Sequence, residues 1–162
     1  MSDETKTITL TVNGDKVTKL VDARQHLVDF LRGELALTGS HLGCEHGICG
    51  ACSVRLDGDV VRGCLILAIQ ADGTNIETVE GLTASGEIAD LQEIFVERDA
   101  LQCGFCTPGM LITAAELLRE ATPKTRAEIR EFLSGNYCRC TGYHAIVDAV
   151  ETTLKQRLEK AS

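Results

Sequence analysis

Apolar and polar residues alternate from Lys6 to Val12, with Ile8, Leu10 and Val12 on one face, the two-residue period of a half-buried strand. Asn13-Gly14 follows, a dipeptide suited to a two-residue hairpin turn, and Val17 to Val21 supplies the returning strand. From His26 to Leu35 the period changes, and Leu27, Phe30, Leu31 and Leu35 recur at helical spacing. Cys52 to Leu56 and Val60 to Cys64 flank Asp57-Gly58 as a second hairpin, and Asn75 to Val79 is a further short strand. Strand signals then stop. Leu91, Ile94, Phe95 and Arg98 mark one helix; Met110, Leu111, Ala114, Leu117 and Leu118 a second; Ile146, Val147, Val150, Leu154 and Leu158 a last one. Between these, Thr125 and Glu128 stand at capping-box spacing ahead of Ile129, Phe132 and Leu133. The pattern predicts an α+β chain: a small ferredoxin-like β-grasp domain over residues 1–82, and a four-helix bundle over residues 83–162. Thr83-Ala84-Ser85-Gly86 reads as the linker.

Composition narrows the function. The chain has 162 residues, 44% of them apolar and 25% charged, as in an ordinary globular protein. At this length folding buries about 70% of the extended chain's surface, so a core forms without disulfide staples. With 24 acidic residues against 16 Lys and Arg, a net charge of −8 and 4% aromatics, a basic nucleic-acid-binding face is excluded. No apolar run approaches the ~20 residues of a membrane span. Met1-Ser2-Asp3-Glu4 is acidic, with no hydrophobic leader, so the expected location is cytoplasmic. The unusual feature is eight cysteines. In a reducing compartment these point to metal binding or catalysis rather than to disulfides.

The cysteines fall into two sets of four. Cys44, Cys49 and Cys52 lie in a C-x4-C-x2-C run with Cys64 further on, the plant-type spacing for a [2Fe–2S] cluster. Gly43, Gly47 and Gly50 surround them. They are expected to allow positive φ and to let backbone N–H groups approach sulfur. A zinc ribbon pairs one C-x2-C with another, which this set does not do. The second set reads C-x2-C at Cys103 and Cys106 and C-x-C at Cys138 and Cys140. Thr107 is the expected cap of a helix with Pro108 at its first position, and a helix ending at Gly135 precedes Cys138. Two such helix borders meeting would gather four thiols. Taken alone this set suits zinc or iron–sulfur; beside the first, iron–sulfur is the better reading.

With those residues in view, the motifs G-C-E-H-G-I-C-G-A-C, Q-C-G-F-C-T-P-G and N-Y-C-R-C-T-G-Y resemble the iron–sulfur subunit of the xanthine oxidase family of molybdenum hydroxylases. The similarity is to the separate small subunit of bacterial carbon monoxide, aldehyde, N-heterocycle and hydroxybenzoyl-CoA enzymes, and runs from Thr7 to Leu154. It implies one [2Fe–2S] cluster on Cys44, Cys49, Cys52 and Cys64 and another on Cys103, Cys106, Cys138 and Cys140. It further implies that the second cluster lies beside the molybdopterin of a large catalytic subunit, with Gln102 bonded to the pterin and Cys140 next to it, while the first faces FAD on a medium subunit. The resemblance thus implies an electron relay from pterin to flavin in a heterotrimer or its dimer, with no catalytic residue in this chain. Two such clusters would take the formal charge from −8 to about −12.

Plainer readings stand beside these. His41, His46 and His144 could suggest a Rieske centre, but each set already has four cysteines, so they read as loop or surface residues. Arg139 could act as a local cation on the second cluster; pairing with an acid at a subunit contact is the simpler role. Phe105 could shield that cluster or be core, and Gln102 without the resemblance is a solvated residue. The alternatives to a relay subunit are a free-standing two-cluster ferredoxin and a zinc-stapled adaptor. The substrate belongs to the catalytic subunit.

Overall fold

The computed structural model describes residues 4–120 and 122–161; the acidic reading at Met1 to Asp3 lies outside them. The first strand, β1 (Thr5–Val12), turns through Asn13 (φ 52°) and Gly14 (φ 89°) into β2 (Asp15–Asp22). Positive φ at both turn positions is what a type I′ hairpin needs. Helix α1 (Leu27–Glu34) follows. Then β3 (Ser53–Leu56) and β4 (Asp59–Arg62) form the second hairpin, through Asp57 (φ 49°) and Gly58 (φ 96°). After a 3₁₀ turn at Ala68–Ala71, strand β5 (Asn75–Glu77) enters the middle of the sheet. The order is β2-β1-β5-β3-β4, with only β1 and β5 parallel. Leu27, Phe30 and Leu31 of α1 share one buried cluster with Ile8, Leu10, Val12, Val54 and Ile76. This is a β-grasp sheet holding one helix.

The remainder is helical: α2 (Val79–Ala84), α3 (Ala89–Glu97), α4 (Thr107–Arg119), α5 (Arg126–Leu133) and α6 (His144–Ala161). Helices α3 to α6 are the expected bundle and share a second core, including Leu91, Phe95, Met110, Leu118, Ile129 and Val150. Among the described residues no helix is long and apolar enough to cross a membrane.

Several local expectations are corrected. Val79 begins α2 rather than ending a strand. Thr78, the residue before it, is held outside the helix by hydrogen bonds between its backbone N–H and Asn13 Oδ1 and between its hydroxyl and Asn13 Nδ2 and Glu80. Thr83 and Ala84 finish that helix, so the linker shrinks to the Ser85-Gly86 turn. Phe132 is 44% exposed rather than core, because α5 buries only Ile129 and Leu133. The α4 cap position is Cys106, with no side-chain cap. Thr107 is already helical, which puts Pro108 second. Helix α5 ends at Leu133 with Ser134 still in the right-handed region, and Gly135 serves close approach instead: a Cβ there would lie 2.9 Å from Arg62 Nη2.

Candidate metal centres

The first cysteine set lies on the loop between α1 and β3. Glu45 (φ 56°), Gly47 (φ 74°) and Gly50 (φ 74°) turn the chain back on itself. Gly43 does not take positive φ; its lack of a Cβ matters because one would stand 3.2 Å from Cys49 Sγ. The curled backbone aims N–H groups of His46 and Cys49 at Cys44 Sγ, each at 3.4 Å. Those amides, Cys49 first, pull the Cys44 thiol down to about 6. Cys52 and Cys64 sit deeper, at 2% and 3% exposure. Burial first, and then the neighbouring Cys64 thiol, push Cys52 up to about 11. The four thiols lie near one another, Cys49 bearing on both Cys44 and Cys52, and Cys64 on Cys52.

The second set repeats that arrangement. Cys103 and Cys140 are exposed, their sulfurs 3.5 Å apart. Cys106 and Cys138 form an inner pair, Cys138 being 9% exposed. Burial, then the Cys138 partner, push Cys106 up to about 12. Cys138 goes the other way: burial opposes its ionisation, but the Thr141 hydroxyl and amide, helped by the Cys140 N–H, hold it below the ordinary thiol value.

All eight cysteines are free thiols. In the second set the Cys103 and Cys140 sulfurs stand 3.5 Å apart. A binuclear iron–sulfur centre takes two thiolates per iron, so four thiols per set suit it. Cys52 and Cys106, hard to ionise alone, become thiolates readily beside a cation, and the N–H groups on Cys44 and Cys138 supply the hydrogen bonds that anionic sulfur requires. The donor chemistry fits [2Fe–2S] at both places.

The two sets are tied together by residues to which no role was given from sequence. Tyr137 N–H donates to Cys49 C=O at 2.8 Å. Asn136, 1% exposed, donates through Nδ2 to Gly50 C=O at 3.1 Å and accepts through Oδ1 from Thr113 and Arg62. Arg62 also donates to Gly135 C=O at 2.8 Å. Asn136, Tyr137 and Thr141 all stand in the N-Y-C-R-C-T-G-Y stretch; a buried amide flanking ligand cysteines was the signal available.

The remaining candidates are placed as follows. Gln102 is exposed directly beside Cys103. Arg139 is exposed between Cys138 and Cys140. Phe105 is neither core nor free: it is 47% exposed and stacks on His41 with centroids 4.6 Å apart, while its carbonyl meets His41 Nδ1 at 2.7 Å. His46 is exposed, and His144 begins α6 near Arg126. None of these histidines joins a sulfur pair in the geometry above. Ile48 and Leu65 flank the first set at 54% and 60% exposure, and Leu101 and Tyr137 flank the second at 38% and 55%.

Comparison with known proteins agrees with this geometry. Residues 10–83 match the family model "2Fe-2S iron-sulfur cluster binding domain", and residues 78–151 match "[2Fe-2S] binding domain". The chain is 51% identical over 90% of its length, and 89% of the relative's, to the caffeine dehydrogenase subunit gamma of Pseudomonas sp. (strain CBB1). It is 54% identical to the nicotine 6-hydroxylase small subunit of Paenarthrobacter nicotinovorans, over 88% of this chain and 86% of that one. Among solved structures it is similar to a chain of quinoline 2-oxidoreductase from Pseudomonas putida 86, with a TM-score of 0.88 and 46% identity over 96% of this chain and 97% of that one. The protein belongs to the small [2Fe–2S] subunits of xanthine oxidase family molybdenum hydroxylases, and its part in such an enzyme is electron transfer.

Proposed function

We propose that Cys44, Cys49, Cys52 and Cys64 hold one [2Fe–2S] cluster, two thiolates per iron in the pairs Cys44–Cys49 and Cys52–Cys64. In the same reading Cys103, Cys106, Cys138 and Cys140 hold the other, as Cys103–Cys140 and Cys106–Cys138. The observation that carries this is the gathering of four thiols at each place, with the Cys103 and Cys140 sulfurs 3.5 Å apart and backbone N–H groups aimed at Cys44 and Cys138. When bound, each cluster supplies reversible one-electron acceptance. The chain positions the thiolates, hydrogen-bonds them, keeps water from the inner pairs, and spans the gap with the Tyr137 N–H to Cys49 C=O bond. The division into residues 1–82 and 83–162 is part of the proposal; two separate apolar cores support two domains, with Val79 and Leu82 of α2 packed in the second.

The surface supports a matching assignment of partners. The second set opens outward at Cys103 and Cys140, with Gln102 beside them. We assign this face to the molybdopterin subunit, Gln102 bonding the pterin and Cys140 nearest to it. A neutral amide pairs with a pterin's donors and acceptors without adding charge. An apolar groove of about 580 Å³, whose lining includes Val79, Leu101, Gly104 and Leu111, continues from that loop and suits coverage by a large subunit. Ile48 and Leu65 give the first set its own apolar face, assigned to the FAD subunit. The assembly is a heterotrimer or its dimer in the cytoplasm. Nitrogen heteroaromatics are the substrate class proposed for the complex, the class of caffeine, nicotine and quinoline.

Tagged full-length chain, purified from its native cells, tests the proposal. It should bring down two larger chains carrying molybdopterin and FAD. A small species that migrates alone would instead support a free-standing carrier.

A further inference from the structure

Of the residues around the eight cysteines, Thr141 has hydrogen bonding that fixes the direction of its own proton. Its Oγ1 lies 3.1 Å from Cys138 Sγ and its backbone N–H 3.4 Å from the same sulfur. The Tyr143 N–H donates to Thr141 Oγ1 at 3.1 Å, so a lone pair of that oxygen is occupied. The single hydroxyl hydrogen is left for sulfur. The turn is held from its other end too, because Cys138 N–H donates to the Tyr143 hydroxyl at 2.9 Å. Gly142 and Tyr143, at φ 64° and 67°, curl the chain so that these bonds close. Among the described residues no other side-chain hydroxyl donates to a cysteine sulfur.

We propose that Thr141 sets the reduction potential of the second site and biases its added charge toward the inner pair, Cys106 and Cys138; this rests on the cluster assignment above. A hydrogen bond to thiolate sulfur stabilises the more negative, reduced state, and it acts more strongly where water is scarce. Cys138 is buried whereas Cys103 and Cys140 are exposed, so the hydroxyl acts on the dry side. The inner pair is also the side that continues through Tyr137 N–H into Cys49 C=O. Reduction adds one electron and no proton: the hydrogen stays on Thr141 Oγ1, and the electron comes from a low-potential reductant such as dithionite. Thr141 is a positioning residue for charge and contacts no substrate.

The test uses the purified complex of wild type, T141V and T141S, titrated with dithionite and followed by electron paramagnetic resonance. Valine keeps the shape and backbone N–H but loses the hydroxyl. In T141V the second site's midpoint should fall by about 59 mV, the shift equivalent to a tenfold change in a one-electron equilibrium. T141S should restore it, and the first site's midpoint should not move in either variant. Wild type in D2O should show, besides weaker couplings from the Thr141 and Cys140 N–H deuterons, one stronger exchangeable coupling from the nearer hydroxyl at the second site, a measurement that does not depend on any variant folding. An unshifted T141V midpoint, or no such stronger coupling, overturns the inference. Absence of both iron–sulfur signals from wild type would instead overturn the cluster assignment beneath it.

Discussion

Gly109 of α4 and Gly50 of the first cysteine loop meet backbone to backbone, and a Cβ on Gly109 would overlap the Gly50 carbonyl oxygen. Neither backbone is the far end of a flexible side chain, so something rigid must yield. Gly109→Ala should therefore cost about 1–3 kcal/mol, as overpacking of a close-packed site does. Thermal unfolding of the purified variant should show a lower Tm; an unchanged Tm would mean that the loop and helix tolerate separation.

Asn136 closes the same junction from the side. Replacing it with alanine removes the Nδ2 bond to Gly50 C=O and leaves the buried Thr113 hydroxyl without its acceptor. Asn136→Ala should cost about 2 kcal/mol. Denaturant unfolding checks the size, and Asn136→Asp should not rescue, because a carboxylate presents no donor to the carbonyl.

Asp90 gives the pH dependence. Arg157 binds it through Nε at 2.8 Å and Nη2 at 2.7 Å, clamping α6 onto the start of α3. That pairing, against some burial, holds the carboxyl below its usual range. A depressed native value means stability that is complete above the unfolded value, about 3.9, and is lost as pH falls through the native value. Asp90→Asn should thus be less stable by about 1 kcal/mol at neutral pH, both partners being partly solvated. The gap should narrow only below about pH 4. Urea unfolding of both proteins across that range decides it, and a gap constant with pH would contradict the linkage.

At the start of α5, Thr125 accepts from Glu128 N–H at 3.3 Å, and Glu128 accepts from Thr125 N–H at 2.6 Å. Thr125→Ala should lose about 1 kcal/mol in unfolding experiments.

That capping box was readable because all its partners lie within four residues. So were the Asn13-Gly14 and Asp57-Gly58 turns, whose positive φ is a local demand of the hairpin. Helix α2 was not, because its start is decided from 65 residues away: Asn13 holds Thr78 and makes Val79 a first helical residue. The end of α5 is similar, since Arg62 from the sheet takes the Gly135 carbonyl. At the candidate centres the two cysteine sets were legible from spacing. Which sulfurs pair was not, nor were the roles of Asn136, Thr141 and Gly109, whose partners are brought to them by the meeting of the sheet and the bundle.

Each sulfur set is proposed to grip two irons. This is tested most directly by counting iron and acid-labile sulfide in the purified complex while recording the paramagnetic signals of the reduced protein, for wild type, Cys44→Ser and Cys103→Ser. About four irons and four sulfides per chain are expected, with two distinct signals, Cys44→Ser disturbing one of them and Cys103→Ser the other. One zinc per set, or a single signal disturbed by both substitutions, would contradict the proposal.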